Sequence, residues 1–152
     1  MAKRQRIVEG AFVKIPLDEN RHAYGRLLKR PLVGFYESDT AEDLPLAVIQ
    51  SMPVSFKVWV ANRAITSGRW EIVGVAPLEE ELKSDPRFFK FDTIQKELSI
   101  YHQQRELPAS WEECKDLECA AVWSAEHVED RLRDRALGRP NKWAESMKPP
   151  IF

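Results

Sequence analysis

The densest group of chemically active side chains lies at residues 118–135, which read ECAAVWSAEHVEDRLRDR. Here His127 stands among acids and arginines, side chains that can transfer protons or hold metal ions. A zinc helix of the HExxH type needs a second histidine four residues later, and that position is Arg131. The spacing therefore favours a helix exterior with ion pairs, such as Glu129 with Arg133, over a metal site.

The sequence contains no other recognisable catalytic motif. Cys114 and Cys119 are five residues apart, which matches no metal motif, so we interpret them as reduced packing residues. The glycines are too widely spaced for a phosphate-binding loop, and no GxSxG elbow occurs. His22 and His102 fall in separate predicted strands, and their spacing neither excludes nor supports a catalytic pair. We therefore predict no catalytic residue, no metal and no cofactor.

Composition places the chain among ordinary globular proteins. Its 152 residues are 43% hydrophobic, which is enough for one domain with its own core. No apolar run approaches the roughly 20 residues of a membrane span, and MAKRQRIVEG lacks the apolar part of a secretion signal. We therefore expect a cytoplasmic protein with no membrane partner.

Charge is distributed unevenly along the chain, although the net charge is only −1. Residues 1–30 carry eight Lys or Arg against three acids, whereas residues 97–130 carry two against nine. Charge blocks of this kind are usually solvated surface. The acidic block is nevertheless the strongest candidate for a binding surface.

The first hundred residues show the alternation of apolar and polar side chains that is typical of strands. Strands are predicted at 11–17, 22–29, 31–37, 55–62, 70–75, 88–91 and 98–102, and a loop with a short helical turn at 38–53. The first two strands form a hairpin, and the third continues it antiparallel. Gly25 and Gly34, inside predicted strands, indicate the bends of a strongly curved sheet.

The last third is predicted to be helical. Ser110 with Glu113 forms a capping box for a helix over 110–118, and Ser124 caps a second helix over 124–137. The tail 138–152 is predicted to be a loosely docked extension. The expected fold is α+β, with a strongly curved, barrel-like antiparallel sheet of about six strands and two C-terminal helices. The residues predicted to be buried are Val13, Ile15, Val58, Val60, Trp70, Val73, Val122, Trp123, Val128 and Leu132.

Several blocks in one order resemble the bacterial immunity protein 26 family. They are GAFVKIPLDENRHAYGRLL, LVGFYES, SFKVWV, SGRWEIVGVAPLEEEL, FFKFD, IYH and LECAAVWSAEHVEDRLRD. The likeness covers residues 10–134, and its most specific parts are 67–82 and 120–131. Gly68 suits a turn with positive φ and Trp70 suits a core anchor, so these shared residues can serve the fold alone.

The resemblance implies a single immunity-type domain over 1–137 that is not an enzyme. Such a protein binds the C-terminal domain of a cognate toxin from a polymorphic-toxin or contact-dependent inhibition system and blocks its active or substrate-binding site. If that toxin is a nuclease, its phosphate-binding surface is basic, and the acidic block fits it. The candidate toxin-binding residues are Trp111, Glu112, Glu113, Asp116, Glu118, Glu126, Glu129 and Asp130.

Two other interpretations remain open at this stage. The toxin could bind elsewhere, through Trp111 or the strand loops, with the acids merely solvated. A curved sheet with basic segments such as KRQR (3–6) could instead be a nucleic-acid-binding module. The near-neutral charge and the acidic last third speak against direct nucleic-acid binding.

Overall fold

The computed structural model describes residues 3–151, which form ten strands and six helices. The strands of the first sheet are β1 (Ala11–Pro16), β2 (His22–Leu27), β3 (Leu32–Tyr36), β4 (Val54–Val60), β5 (Glu71–Val75) and β10 (Val122–Trp123). Those of the second are β6 (Phe88–Asp92), β7 (Glu97–His102), β8 (Arg105–Pro108) and β9 (Glu118–Cys119). The helices are α1 (Leu46–Gln50), α2 (Arg63–Thr66), α3 (Glu80–Lys83), α4 (Trp111–Cys114), α5 (Ala125–Ala136) and α6 (Lys142–Ser146).

The first sheet has the order β10-β4-β3-β2-β1-β5. The predicted hairpin of β1 and β2 is confirmed, and Ile15 lies opposite Ala23. Its turn is closed by Asp18, whose carboxylate accepts hydrogen bonds from two backbone N–H groups, 2.8 Å each. β3 continues antiparallel to β2, as predicted.

The prediction of one barrel-like sheet is wrong. β6 to β9 form a second sheet in the order β8-β7-β6-β9, and neither sheet closes within residues 3–151. The reason is that β6 and β7 bury Phe89, Leu98 and Ile100 against Cys114 of α4, in a small core of their own. All pairings are antiparallel except the two short ones, β9 with β6 and β10 with β4. Residues 118–123 thus join the two sheets.

The main core lies between the first sheet and α5. Eight of the ten residues predicted to be buried are buried, Trp70 and Val128 completely. Val73 and Val122 are 39% and 61% exposed, so their predicted burial is wrong. Successive strand residues face opposite sides, and in these strands Ile72 and Trp123 hold the inward positions.

Both predicted helix starts are confirmed. Ser110 and Glu113 form the capping box of α4, and the Ser124 hydroxyl accepts a hydrogen bond from the backbone N–H of His127. α4 ends at Cys114 and is therefore shorter than the predicted 110–118, and Glu118, the last residue of that prediction, begins β9 instead. The tail contains α6, whose Trp143 stacks on His127 with ring centroids 3.7 Å apart. Within residues 3–151, no helix combines the length and apolar character needed to cross a membrane.

Candidate partner-binding site

Most of the candidate acidic residues are paired with cations of the same chain. The ion pairs are Glu112 with Lys115 (2.8 Å), Glu118 with Arg131 (2.7 Å), Glu126 with Arg69 (3.0 Å) and Asp130 with Arg133. Glu113 is used as the helix cap, which lowers its carboxyl pKa through the hydrogen bonds from Ser110. Much of the formal charge of the acidic block is therefore neutralised.

Glu129 does not belong to an exposed acidic face. It is only 4% exposed and accepts two hydrogen bonds from Arg69 (2.8 Å each) and one from the indole N–H of Trp70 (2.9 Å). The predicted ion pair with Arg133 is also wrong, because Arg133 pairs with Asp130. The sequence contains a pattern that indicates the burial of Glu129. Ala125, Val128, Glu129 and Leu132 have the spacing of one helical stripe, and all four are buried.

Trp111 and Asp116 have different surroundings. Trp111 is half-buried and donates a hydrogen bond to the carbonyl of Pro149, 3.3 Å away, so part of its ring is occupied by the tail. Asp116 is exposed and forms no ion pair with any described residue. The structure has a groove between the two sheets. Of the eight candidate residues, only Asp116 and Glu118 line it.

That groove has a volume of about 870 Å³. One wall is formed by residues 52–57, which enter and begin β4, and the other by residues 85–88 at the start of β6 together with residues 116–118. Its apolar lining includes Tyr36, Met52, Val54, Phe56, Leu82, Phe88 and Leu117, of which Met52, Val54 and Leu117 are partly exposed. Sequence reasoning could not identify it, because its walls come from segments that are far apart in the chain.

Acidic side chains dominate the rim of the groove. Glu79, Glu81, Asp85, Asp116 and Glu118 stand against Lys57 and Arg87. Glu79 and Glu118 are neutralised by Arg26 (3.2 Å) and Arg131 (2.7 Å). Among the described residues, the carboxylates of Glu81, Asp85 and Asp116 form no ion pair, so they are available to cations of a partner.

Arg26 supports the groove from inside the protein. It is completely buried, lies 4.0 Å from the ring centroid of Phe12, and donates to the carbonyls of Gly10, Ala76 and Pro77 at 2.7–3.0 Å. Its guanidinium also reaches Glu79 at the rim. Sequence reasoning missed this residue, because nothing local in HAYGRLL indicates a buried charge.

The histidines and cysteines are engaged in packing. The Nε2 of His22 lies 3.0 Å from the Tyr24 hydroxyl, and that of His102 lies 3.1 Å from the Asp85 carbonyl, so the two rings have separate partners. Burial raises the pKa of both cysteine thiols, which favours the unreactive protonated form. In residues 3–151, no three His, Cys, Asp or Glu side chains are grouped so that they could hold a metal ion.

Comparison with protein families assigns the chain. The sequence profile of Immunity protein 26 matches residues 8–100, more than half of the chain. The chain belongs to the Immunity protein 26 family. Comparisons with curated proteins and with solved structures gave no significant match. The family assignment gives no support to the nucleic-acid alternative.

The profile of the Immunity protein 26 family covers most of the groove but only the first four residues of the acidic block 97–130. Groove residues 36–88 and His102 lie inside the matched segment or just after it, whereas residues 112–130 lie beyond it. Within the match, Gly68 has φ of 82° and Trp70 is completely buried, as predicted. Arg69 and Trp70 both bind Glu129, so the two most specific blocks of the resemblance hold each other together.

Asp130 should make protein stability depend on pH at the acid end. Hydrogen bonds from Arg133 and from the indole of Trp143 lower the pKa of Asp130 below its ordinary 3.8. A lowered pKa in the folded state stabilises the fold above 3.8, and this contribution disappears as the pH falls through the folded value. Since the carboxylate is partly exposed, we expect Asp130→Asn to cost less than about 1 kcal/mol at pH 7.

The measurement is urea unfolding of the wild type and of Asp130→Asn at pH 7 and at pH 2.5. Their difference in unfolding free energy should shrink towards zero at the lower pH. Glu97→Gln, at an exposed acid without an ion pair in the described chain, should match the wild type at pH 7. An Asp130→Asn penalty of equal size at both pH values would contradict the prediction.

Proposed function

We propose that this protein binds the toxin domain encoded by the adjacent gene and blocks its active or substrate-binding site. The membership in the Immunity protein 26 family carries this proposal. It acts by binding rather than by catalysis, in the cytoplasm of the cell that makes the toxin or receives it from a sibling. This is the role of an immunity protein in contact-dependent competition between bacteria.

Surface charge supports a basic partner. Glu112, Glu113 and Asp116 are exposed on or beside α4, and Asp116 has no ion-pair partner in the described chain. A toxin that cleaves nucleic acids holds phosphate on a basic surface, so we propose a nuclease domain as the partner. Attraction between the two surfaces would speed their encounter.

The proposal is tested with the purified toxin domain encoded by the adjacent gene. We expect a 1:1 complex by size-exclusion chromatography and light scattering, and survival of cells that express both proteins. The association rate should fall at least several-fold between 0.1 M and 1 M salt, where the Debye length shrinks from about 10 Å to about 3 Å.

Reversal of Glu112, Glu113 and Asp116 to lysine should lower the association rate by a larger factor than it lowers the folding equilibrium constant. If the toxin domain binds but its association rate changes neither with salt nor with these reversals, the acidic residues on and beside α4 do not speed association. If the toxin domain neither binds nor is neutralised, the immunity function itself is wrong.

A further inference from the structure

The strand that borders the groove has an open edge. β4 pairs with β3 along Val54–Val60 but reaches β10 only at Trp59 and Val60. In the described chain, the remaining part of this edge, which faces the second sheet, has no strand partner. Residues 52–57 of this edge line the groove.

The alternation of hydrogen bonds along β4 shows which of its backbone groups do not bond to β3. The N–H of Val60 donates to the carbonyl of Pro31 at 3.1 Å, and pairing alternates along an antiparallel ladder. Phe56 and Val58 therefore direct their backbone groups to β3, and Lys57 directs its N–H and C=O away from β3. Lys57 thus offers one donor and one acceptor to an extended chain in the groove.

We propose that an extended, basic segment of the toxin domain docks in this groove and pairs with the open edge of β4. The inference rests on the proposed function, since the partner is the toxin. An apolar side chain of that segment would contact the partly exposed Met52, Val54 and Leu117. Its Arg or Lys side chains would face the unpaired carboxylates of Glu81, Asp85 and Asp116. Main-chain hydrogen bonds and alternating side-chain contacts are the usual basis of such strand addition.

The charges of the groove select this occupant over a nucleic acid. The three unpaired carboxylates outnumber the two groove cations, Lys57 and Arg87, which also form no ion pair with a described residue. The unpaired charge of the rim is therefore negative, which repels phosphate groups and attracts ammonium or guanidinium groups. The apolar lining adds contact area that a purely cationic ligand would not use. A segment with alternating basic and apolar side chains satisfies both features.

The outer edges of β5 and β8 are less suited to pairing. At the outer edge of β5, the N–H of Ile72 already donates to the side-chain carbonyl of Gln5, 2.8 Å away. β8 is exposed along its whole length and begins with Arg105 and Glu106, charges of the kind that protect edge strands from pairing. The edge of β4, by contrast, lies in a groove with an apolar lining.

The first test reverses two rim charges, Glu81→Lys and Asp85→Lys, in one protein. Neither carboxylate forms an ion pair with a described residue, so the fold should be retained. The matched control is Glu19→Lys with Glu97→Lys, two exposed acids outside the groove that also lack ion pairs in the described chain. Binding of the adjacent gene's toxin domain is measured by calorimetry, and folding by thermal unfolding.

We expect the rim variant to bind at least about tenfold more weakly and the control to stay within about twofold, because only the rim charges would contact the partner. A second measurement follows amide hydrogen exchange in the wild-type complex. The amide of Lys57 should gain protection. That of Glu106, which the register places on the open side of β8, should not.

The outcomes separate the two proposals. Weaker binding of the rim variant together with protection of Lys57 supports docking at β4. Tight binding by a folded rim variant, or a Lys57 amide that exchanges equally fast in the complex, overturns the docking site and leaves the immunity function standing. Absence of any binding by the wild type overturns both.

Discussion

Replacement of Arg26 by methionine is expected to lower the free energy of unfolding by about 4 kcal/mol, since removal of one partner from a buried charge network typically costs about 3–5 kcal/mol. Methionine has a similar length and can still pack on Phe12. It cannot donate, however, so the carbonyls of Gly10, Ala76 and Pro77 lose the hydrogen bonds that Arg26 provides. The loss of these hydrogen bonds from a buried charge, together with the loss of the cation that pairs with Glu79, accounts for most of the effect.

Arg21→Met is the matched control. Arg21 lies just before β2, is about half exposed, and pairs with Asp39 at the surface. Its loss should cost less than about 1 kcal/mol, as is usual for an exposed ion pair. Both variants are compared with the wild type by urea unfolding, followed by tryptophan fluorescence. Equal, small effects of the two substitutions would show that the Arg26 network contributes little to stability.

The strands with one buried face could be predicted from the sequence. All seven predicted strands are present, because alternation of apolar and polar side chains indicates a strand that has one face packed against a core. β8, β9 and β10 escaped prediction. β9 and β10 have two residues each, which are too few to show alternation, and β8 is exposed at all four positions, so it has no buried face to alternate with. The division into two sheets also escaped, because it depends on which apolar faces meet.

Local signals predicted caps and turns more reliably than side-chain environment. Ser110 and Ser124 cap their helices as the sequence indicated, because a cap is formed within four residues. The burial of Arg26 depends on carbonyls some 50 residues further along the chain. The groove likewise joins β4, β6 and residues 116–118, whose proximity no local pattern records.

Truncation of Glu129 to alanine is expected to lower the free energy of unfolding by about 3 kcal/mol, because it leaves buried donors without their acceptor. The indole N–H of Trp70 would lose its partner in the main core, and Arg69 would lose both hydrogen bonds to that carboxylate. These contacts join the turn before β5 to α5. The substitution should therefore loosen the helix on the sheet as well as lower the overall stability.

A double-mutant cycle of Arg69→Ala and Glu129→Ala measures the interaction between these two residues separately from their other contacts. We expect a coupling energy of about 2 kcal/mol, in the upper part of the range for contacting residues, because Glu129 is buried although Arg69 is partly exposed. The control cycle uses Glu80 and Lys83, an exposed pair 3.0 Å apart, for which the coupling should stay below about 0.5 kcal/mol. Similar coupling in both cycles would mean that the Arg69–Glu129 pair contributes little to holding the SGRW turn on α5, which leaves that role to the hydrogen bond from Trp70 to Glu129. The presence of Arg69 in the shared motif would then need another explanation, such as direct contact with the toxin.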